Sequence, residues 1–253
     1  MKWARAKQAD GTIITGVVTG AHLEPRAALG SDDAIGATVP LADLTLLAPV
    51  VPGKFIGLWN NFHAAAERNG WTPPEHPLYF FKADSSVTGP DTEVAIPTGV
   101  GRVLFEGELG IVIGKTAKNV APDAAAEAIF GYTCVNDLTA LQILTADDSF
   151  PQWTRAKSYD GFGVVGPMIE TDVDWKSLEI KVMVGPRERQ AYPASDMIMS
   201  PPEIVSKLSQ DMTLNPGDLI ACGTSVGARP VKAGDRVDVV IDGIGNLAVT
   251  MTA

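Results

Sequence analysis

A mixed or antiparallel β architecture with few helices is what this sequence predicts, on three observations. Short apolar runs of strand length recur along most of the chain, from TIITGVV at residues 12–18 to LAVTMT near its end. Helical patterns are confined to FHAAAER, PDAAAEAI and a stretch near residues 201–210, and they do not alternate with strands as a parallel α/β sheet requires. Turn tetrapeptides such as NPGD and KAGD punctuate the runs.

Taken in order, residues 1–50 carry two strand-like pieces, TIITGVV and ATVPLADLTLLAP, between polar and Gly-rich turns, and read as a small β-rich N-terminal domain. The segment APVVPGK (48–54), with two Pro and a Gly, marks a boundary, so the main domain is placed at 51–253. It opens with the strand KFIGLW. Asn60 or Asn61 is positioned to cap a short helix through FHAAAER, which Asn69-Gly70 ends. Strand-like LYFFKA, EVAIP and VLFEGELGIVIG follow, then FGYTCVND after a helix opened by Pro122. Later come VVGPMIE, LEIKVMV, LIACGT and RVDVVID, in which Val237, Val239 and Ile241 alternate strictly. Ser200-Pro201-Pro202-Glu203 is a capping-box pattern for the helix near 201–210.

With 253 residues, 45% of them hydrophobic, the chain can bury a sizeable core. Its net charge of -10 argues against a nucleic-acid partner or an anionic membrane surface. No apolar run approaches the roughly 20 residues that span a bilayer, and no long apolar leader opens the sequence, so a cytoplasmic protein is expected. Cys134 and Cys222 each lie in a strand-like segment and read as buried reduced thiols, without zinc-binding spacing.

Two motif matches fail on context. Gly161-Phe-Gly163-Val-Val-Gly166 has the letters of a dinucleotide fingerprint, but Pro167 and a β-like run follow where a helix N-terminus is needed. Gly223-Thr-Ser225-Val-Gly227 fits a nucleophile elbow, yet ARPVKAGD cannot start the required helix, and His22, His63 and His76 all precede Ser225.

The segment FEGELG poses a sharper question. Strand periodicity puts Glu106 and Glu108 on one face, about 6.5 Å apart, leading into sequence that is apolar on both faces. They can pair with Arg or Lys on a neighbouring strand. They can also share a cation, because Asp137 ends another apolar run and can bring a third carboxylate to the same place. Three carboxylates without His or Cys make a hard, all-oxygen site suited to Mg²⁺ or Mn²⁺, with Ca²⁺ also admitted.

A His on a short helix, FFKADSSVTGP, EGELGIVIGK, GYTCVND, WTRAKSYDGFGVVGP, MTLNPGDLIACGTSVG and a closing IDGIGNL occur in that order. In this the chain resembles the fumarylacetoacetate hydrolase family over about residues 52–253. The resemblance implies a mixed β-sandwich roll, usually homodimeric, often preceded by a small N-terminal β domain. It also implies Glu106, Glu108 and Asp137 as ligands of Mg²⁺ or Mn²⁺, and Lys157 beside the metal on the substrate's enolate or carbonyl oxygen. Thr224, helped by backbone N–H groups around Gly223, would bind the substrate carboxylate, with Lys82 near the site. His63 would be a base on a mobile lid helix, paired with Glu67.

The chain departs from the family pattern at two points. Glu67 stands four residues after His63 rather than three, and Leu141 stands where many relatives place an Arg that contacts a substrate carboxylate. The function implied is metal-dependent chemistry on a small 2-oxo or 2-hydroxy-enoic acid through an enolate. Isomerisation or decarboxylation of a 2-hydroxyhepta-2,4-diene-1,7-dioate-type compound leads. C–C hydrolysis of acylpyruvates, oxaloacetate decarboxylation and a non-catalytic metal- and carboxylate-binding β-roll are the alternatives.

Overall fold

The computed structural model describes residues 1–253 and is dominated by strands. Five strands precede residue 51: β1 (Lys2–Lys7), β2 (Ile13–Thr19), β3 (His22–Pro25), β4 (Val39–Pro40) and β5 (Thr45–Leu46). Then come β6 (Phe55–Trp59), helix α1 (His63–Asn69), β7 (Leu78–Lys82), β8 (Val87–Thr88), β9 (Thr92–Ala95), β10 (Val103–Leu104) and β11 (Gly107–Ile113). The middle of the chain forms α2 (Pro122–Ala125), β12 (Ile129–Asp137), β13 (Thr139–Ala140), α3 (Leu141–Leu144), α4 (Trp153–Lys157) and β14 (Gly163–Glu170). It closes with β15 (Glu179–Val184), β16 (Arg187–Pro193), α5 (Pro201–Asp211), β17 (Leu219–Ala221), β18 (Pro230–Val231), β19 (Arg236–Ile241) and β20 (Gly245–Thr252).

A twelve-stranded mixed sheet runs β4-β3-β2-β1-β14-β12-β11-β17-β6-β7, with β5 on β1 and β8 on β14. Against it lies a five-stranded sheet, β16-β15-β19-β20-β9, and a three-stranded one, β13-β10-β18. The N-terminal strands are hydrogen-bonded into the large sheet, because β1 pairs antiparallel with β14 through Lys2 and Trp3. The expected boundary at residue 50 falls in the connection between β5 and β6.

Both faces of β11 are covered, which accounts for its unbroken apolar sequence. Leu109, Ile111 and Ile113 join a core shared with Ile180 and Val182 of β15 and Val237 and Val239 of β19, while Val112 packs on the other side in a cluster with Trp3, Val165 and Ile169. A side chain at Gly107 would meet Val182 Cγ2 at 2.2 Å, so glycine is what lets the two sheets close over the strand at this point.

The run VLFEGELGIVIG is two strands rather than the single one expected. Val103 and Leu104 pair with β13 and β18 in the small sheet, and the large-sheet ladder resumes only at Gly107. Between them, Phe105 N–H donates to Arg229 O and Glu106 N–H to the Asn136 side chain at 3.1 Å, which carries the chain from one sheet to the other. Helix α1 ends as expected on Gly70 in the left-handed conformation at φ 68°. Its start differs from expectation: neither Asn caps it. Phe62 is the capping residue, Asp196 Oδ2 accepts from Ala64 N–H, and Asn61 instead donates to Met199 O and Cys222 O. The capping box at Ser200 and Glu203 opens α5, and both cysteines are buried and unpaired. No helix is long and apolar enough to cross a membrane.

Candidate metal centre

Glu106, Glu108 and Asp137 each bring a carboxylate oxygen to within 4.8 Å of the other two. Glu108 arrives from β11, Glu106 from the crossing just before it, and Asp137 from the end of β12, where Gly107 pairs with Asn136. Asp137 N–H donates to Glu106 O at 2.9 Å, tying the crossing to the neighbouring strand. Oxygens sharing one cation at about 2.0–2.6 Å are separated by at most about 4–5 Å, so the three fit a single divalent ion. The donor set is hard and all-oxygen, as Mg²⁺, Mn²⁺ or Ca²⁺ prefers.

Two buried lysines serve the triad. Lys157 Nζ donates to Asp137 Oδ2 at 2.6 Å and to Glu106 Oε2. Lys82 Nζ donates to the other Asp137 oxygen at 2.6 Å and to Lys157 O, so it anchors Asp137 from behind and does not line the cavity described below. Burial raises the Glu106 carboxyl, and it raises Glu108 well above the usual range, with Asp137's charge adding to the effect. Burial also works against an ionised Asp137, but the Lys157 and Lys82 ammoniums outweigh it and hold Asp137 low. Desolvation pushes Lys82 down. Lys157 is desolvated too, but Asp137 and Glu106 hold it above an ordinary lysine. Three carboxylates against two ammoniums leave one unbalanced negative charge when all are ionised.

The peptide of Gly107, between the two glutamates, is fixed on both sides. Its N–H donates to Gln190 Oε1 at 3.2 Å, and its carbonyl accepts from Tyr192 Oη and from Thr224 Oγ1, the latter at 3.0 Å. Gln190 Nε2 also donates to Thr224 Oγ1 at 2.9 Å and to Ser225 O at 3.2 Å, which binds the Gly223-Thr224-Ser225 loop to the glutamate segment. Gly223 N–H donates to Glu108 Oε2, so this expected substrate-binding glycine holds a ligand carboxylate. Sequence reasoning missed Gln190 and Tyr192 because RERQAYP is a polar edge strand whose only burial is at alternate positions. Ser225 Oγ is buried without a partner and lines the cavity, a donor free for a ligand.

A cavity of about 550 Å³ opens over the triad. Glu106, Glu108, Lys157 and Thr224 form one end, and Trp59, Trp71, Phe80, Leu141, Leu144 and Trp153 line its wall. Exposed Arg68 and Arg229 also border it, without a salt bridge from either. Trp153 and Lys157 share a face of α4 at i and i+4, and Lys157 Nζ lies 5.0 Å from the Phe80 ring centroid. His63 and Glu67 are both exposed on α1 and outside the cavity lining, with no hydrogen bond between them. In this conformation α1 presents Ala65 and Arg68 to the cavity in their place.

Residues 54–252 match the family described as fumarylacetoacetate (FAA) hydrolase C-terminal, and residues 1–49 match one described as Rv2993c-like, N-terminal. Protein Rv2993c of Mycobacterium tuberculosis is 40% identical over 221 residues, 86% of this chain and 82% of that protein. The crystal structure of 5-carboxymethyl-2-hydroxymuconate delta-isomerase from Mycobacterium smegmatis superposes with a TM-score of 0.91 at 35% identity, covering 100% of this chain and 98% of that one. Maleylpyruvate hydrolase from Sphingobium sp. SYK-6, in complex with manganese(II) and pyruvate, gives a TM-score of 0.80 at 31% identity, covering 100% and 99%. The chain, with its acidic triad and mixed β fold, belongs to the fumarylacetoacetate hydrolase family.

Proposed function

We propose that this protein is a divalent-metal-dependent enzyme acting on a small 2-oxo or 2-hydroxy-enoic acid, as an isomerase or decarboxylase. The observation that carries the reading is the convergence of Glu106, Glu108 and Asp137 within 4.8 Å, at the end of a cavity that Lys157 and Thr224 also line. Glu106, Glu108 and Asp137 would hold a divalent cation, which would supply positive charge for stabilising an enolate of the substrate. Lys157 presents an ammonium donor to the substrate's oxo or enolate oxygen, while Lys82 keeps Asp137 in place. The unpartnered hydroxyl of Ser225 is the spare side-chain donor of the Gly223-Thr224-Ser225 loop for a substrate carboxylate, because the Thr224 hydroxyl already donates to Gly107 O. A similar hydrolase holding manganese(II) and pyruvate, itself a 2-oxo acid, supports the pairing of metal and substrate class.

Hydrolysis of a C–C bond needs a water activated by a base, for which His63 with Glu67 is the candidate pair. Both lie outside the cavity lining, which favours isomerisation or decarboxylation over that second reading. A purely non-catalytic metal binder has no use for a lysine buried against two of the ligands. The homodimeric, cytoplasmic state implied by the family resemblance belongs to the same proposal.

The test is an assay of Mg²⁺- or Mn²⁺-loaded protein against oxaloacetate, acylpyruvates and 2-hydroxymuconate-type diacids. Turnover of at least one substrate is expected, lost on chelation and lost in Glu106→Gln while circular dichroism stays native. Full activity after exhaustive metal removal, or no turnover across the panel, overturns the reading.

A further inference from the structure

The cavity lining is of two kinds. Glu106, Glu108 and Lys157 form a charged part that serves a carboxylate and an oxo group, as proposed above; the inference that follows rests on that reading. Much of the rest is apolar. Leu141 and Leu144, one turn apart on α3, both face the cavity. Beside them runs a chain of aromatic contacts: Trp71 on Trp59 at 4.7 Å between centroids, Trp59 on Trp153 at 5.8 Å, and Trp153 stacked on Phe80 at 5.3 Å with 15° between the planes.

We propose that the site selects a 2-oxo or 2-hydroxy-enoic acid whose far end is apolar or aromatic rather than a second carboxylate. A carboxylate set against Leu141, Leu144 and Trp153 would lose hydration that those side chains cannot replace. Arg68 and Arg229 also line the cavity but are exposed to water, where hydration and salt weaken their hold on an anion. Size agrees: about 550 Å³ suits a ligand well beyond a four-carbon oxo diacid. The apolar surface also continues, since an adjoining depression of about 690 Å³ shares Trp59, Phe80, Leu144 and Trp153 with the cavity. A tail lying on Trp153 and Phe80 rests on the helix that carries Lys157 and on the ring beneath its ammonium, which aligns the oxo end with the metal ligands.

The experiment is calorimetric titration of the Mn²⁺-loaded full chain with pyruvate, 2-oxoglutarate and 2-oxo-4-phenylbutanoate, with tryptophan fluorescence as a second readout. The phenyl compound is expected to bind at least about tenfold more tightly than 2-oxoglutarate, from the apolar area its ring buries. Leu141→Arg should reverse or erase that preference, and Trp153→Ala should weaken the phenyl compound far more than it weakens pyruvate. The wild-type ratio decides the matter even where a variant fails to fold. If 2-oxoglutarate binds as tightly as the phenyl compound or tighter, and Arg68→Ala or Arg229→Ala weakens it, the tail is a carboxylate held at the opening and this inference falls while the proposed function stands. If none of the three binds in the presence of Mn²⁺, the proposed function falls and this inference with it.

Discussion

The backbone N–H of Gly223 donates to Glu108 Oε2 at 2.7 Å, so the turn after β17 holds in place a carboxylate of the triad. Gly223 has φ +89°, and a Cβ there would come within 3.2 Å of Leu58 O. Gly223→Ala therefore adds left-handed strain, about 1–3 kcal/mol, to a tight contact. Gly217→Ala is the control, since Gly217 has φ +87° and an added Cβ would meet nothing within 4 Å. Both variants should melt earlier. Only Gly223→Ala should weaken Mn²⁺ binding, by about 10–100-fold, the usual effect of losing a partner of a ligand. Equal Mn²⁺ affinity in the two variants would contradict the role given to this N–H.

Lys82 is 4% exposed, and its ammonium donates hydrogen bonds to the Asp137 carboxylate and the Lys157 carbonyl. Lys82→Met keeps the volume but leaves Asp137 with one fewer cation in a dry setting. Breaking one partner of a buried ion pair costs on the order of 3 kcal/mol, so the urea midpoint should fall clearly with the slope unchanged. An unchanged midpoint would mean that Lys82 is dispensable to the site's structure.

What the sequence discloses and what it hides follow from how far each signal reaches. The triad was legible because its signals are local, Glu106 and Glu108 two residues apart and Asp137 closing an apolar run, although Glu106 lies in the crossing ahead of β11 and not on the strand whose alternation suggested the pair. The capping box at Ser200 is local too, and so is the Asn69-Gly70 stop of α1. The break between β10 and β11 was not legible, since nothing in LFEG announces that Phe105 and Glu106 find partners on Arg229 and Asn136. Strand β16 is hidden because as an edge strand it exposes Arg187, Glu188 and Ala191, so its composition reads as loop. Gln190 and Tyr192, which fix the Gly107 peptide, went with it. The aromatic wall was hidden for another reason: Trp59, Phe80 and Trp153 come from β6, β7 and α4, and only the tertiary fold stacks them.

Outside the site, Glu203 accepts from Ser200 N–H at 2.8 Å and from Ser200 Oγ at the start of α5. These hydrogen bonds hold the Glu203 carboxyl below its ordinary value of 4.5. A folded value below the unfolded one means the contribution is present above the unfolded value and is lost as pH falls through the folded one. Glu203→Ala should cost about 1 kcal/mol at pH 7, a shift of about 2–4 °C in the melting temperature for a chain of this length. The gap between variant and parent should close as pH drops below 4.5. A gap that persists into strong acid would assign the effect to lost helix propensity or packing instead of the ionised cap.

The sharpest division among reactions lies on α1. A hydrolase needs Glu67 to orient His63 towards a water, and removing one member of such a dyad costs about 10²–10⁴-fold in turnover. In the structure the two side chains point to solvent, while Lys157 is buried between Glu106 and Asp137. If bond breaking at C3 draws on the carboxylate triad and Lys157 alone, Glu67→Gln should leave kcat within about threefold of the parent, well short of a dyad's contribution. Lys157→Met should then abolish turnover, with native circular dichroism and retained Mn²⁺ binding separating the loss from misfolding. Steady-state kinetics on the best substrate of the panel, with both variants at saturating Mn²⁺, reads this directly. A fall of about 10²-fold or more for Glu67→Gln would instead place the dyad over the substrate during turnover, requiring α1 to close, and would move the assignment to C–C hydrolysis.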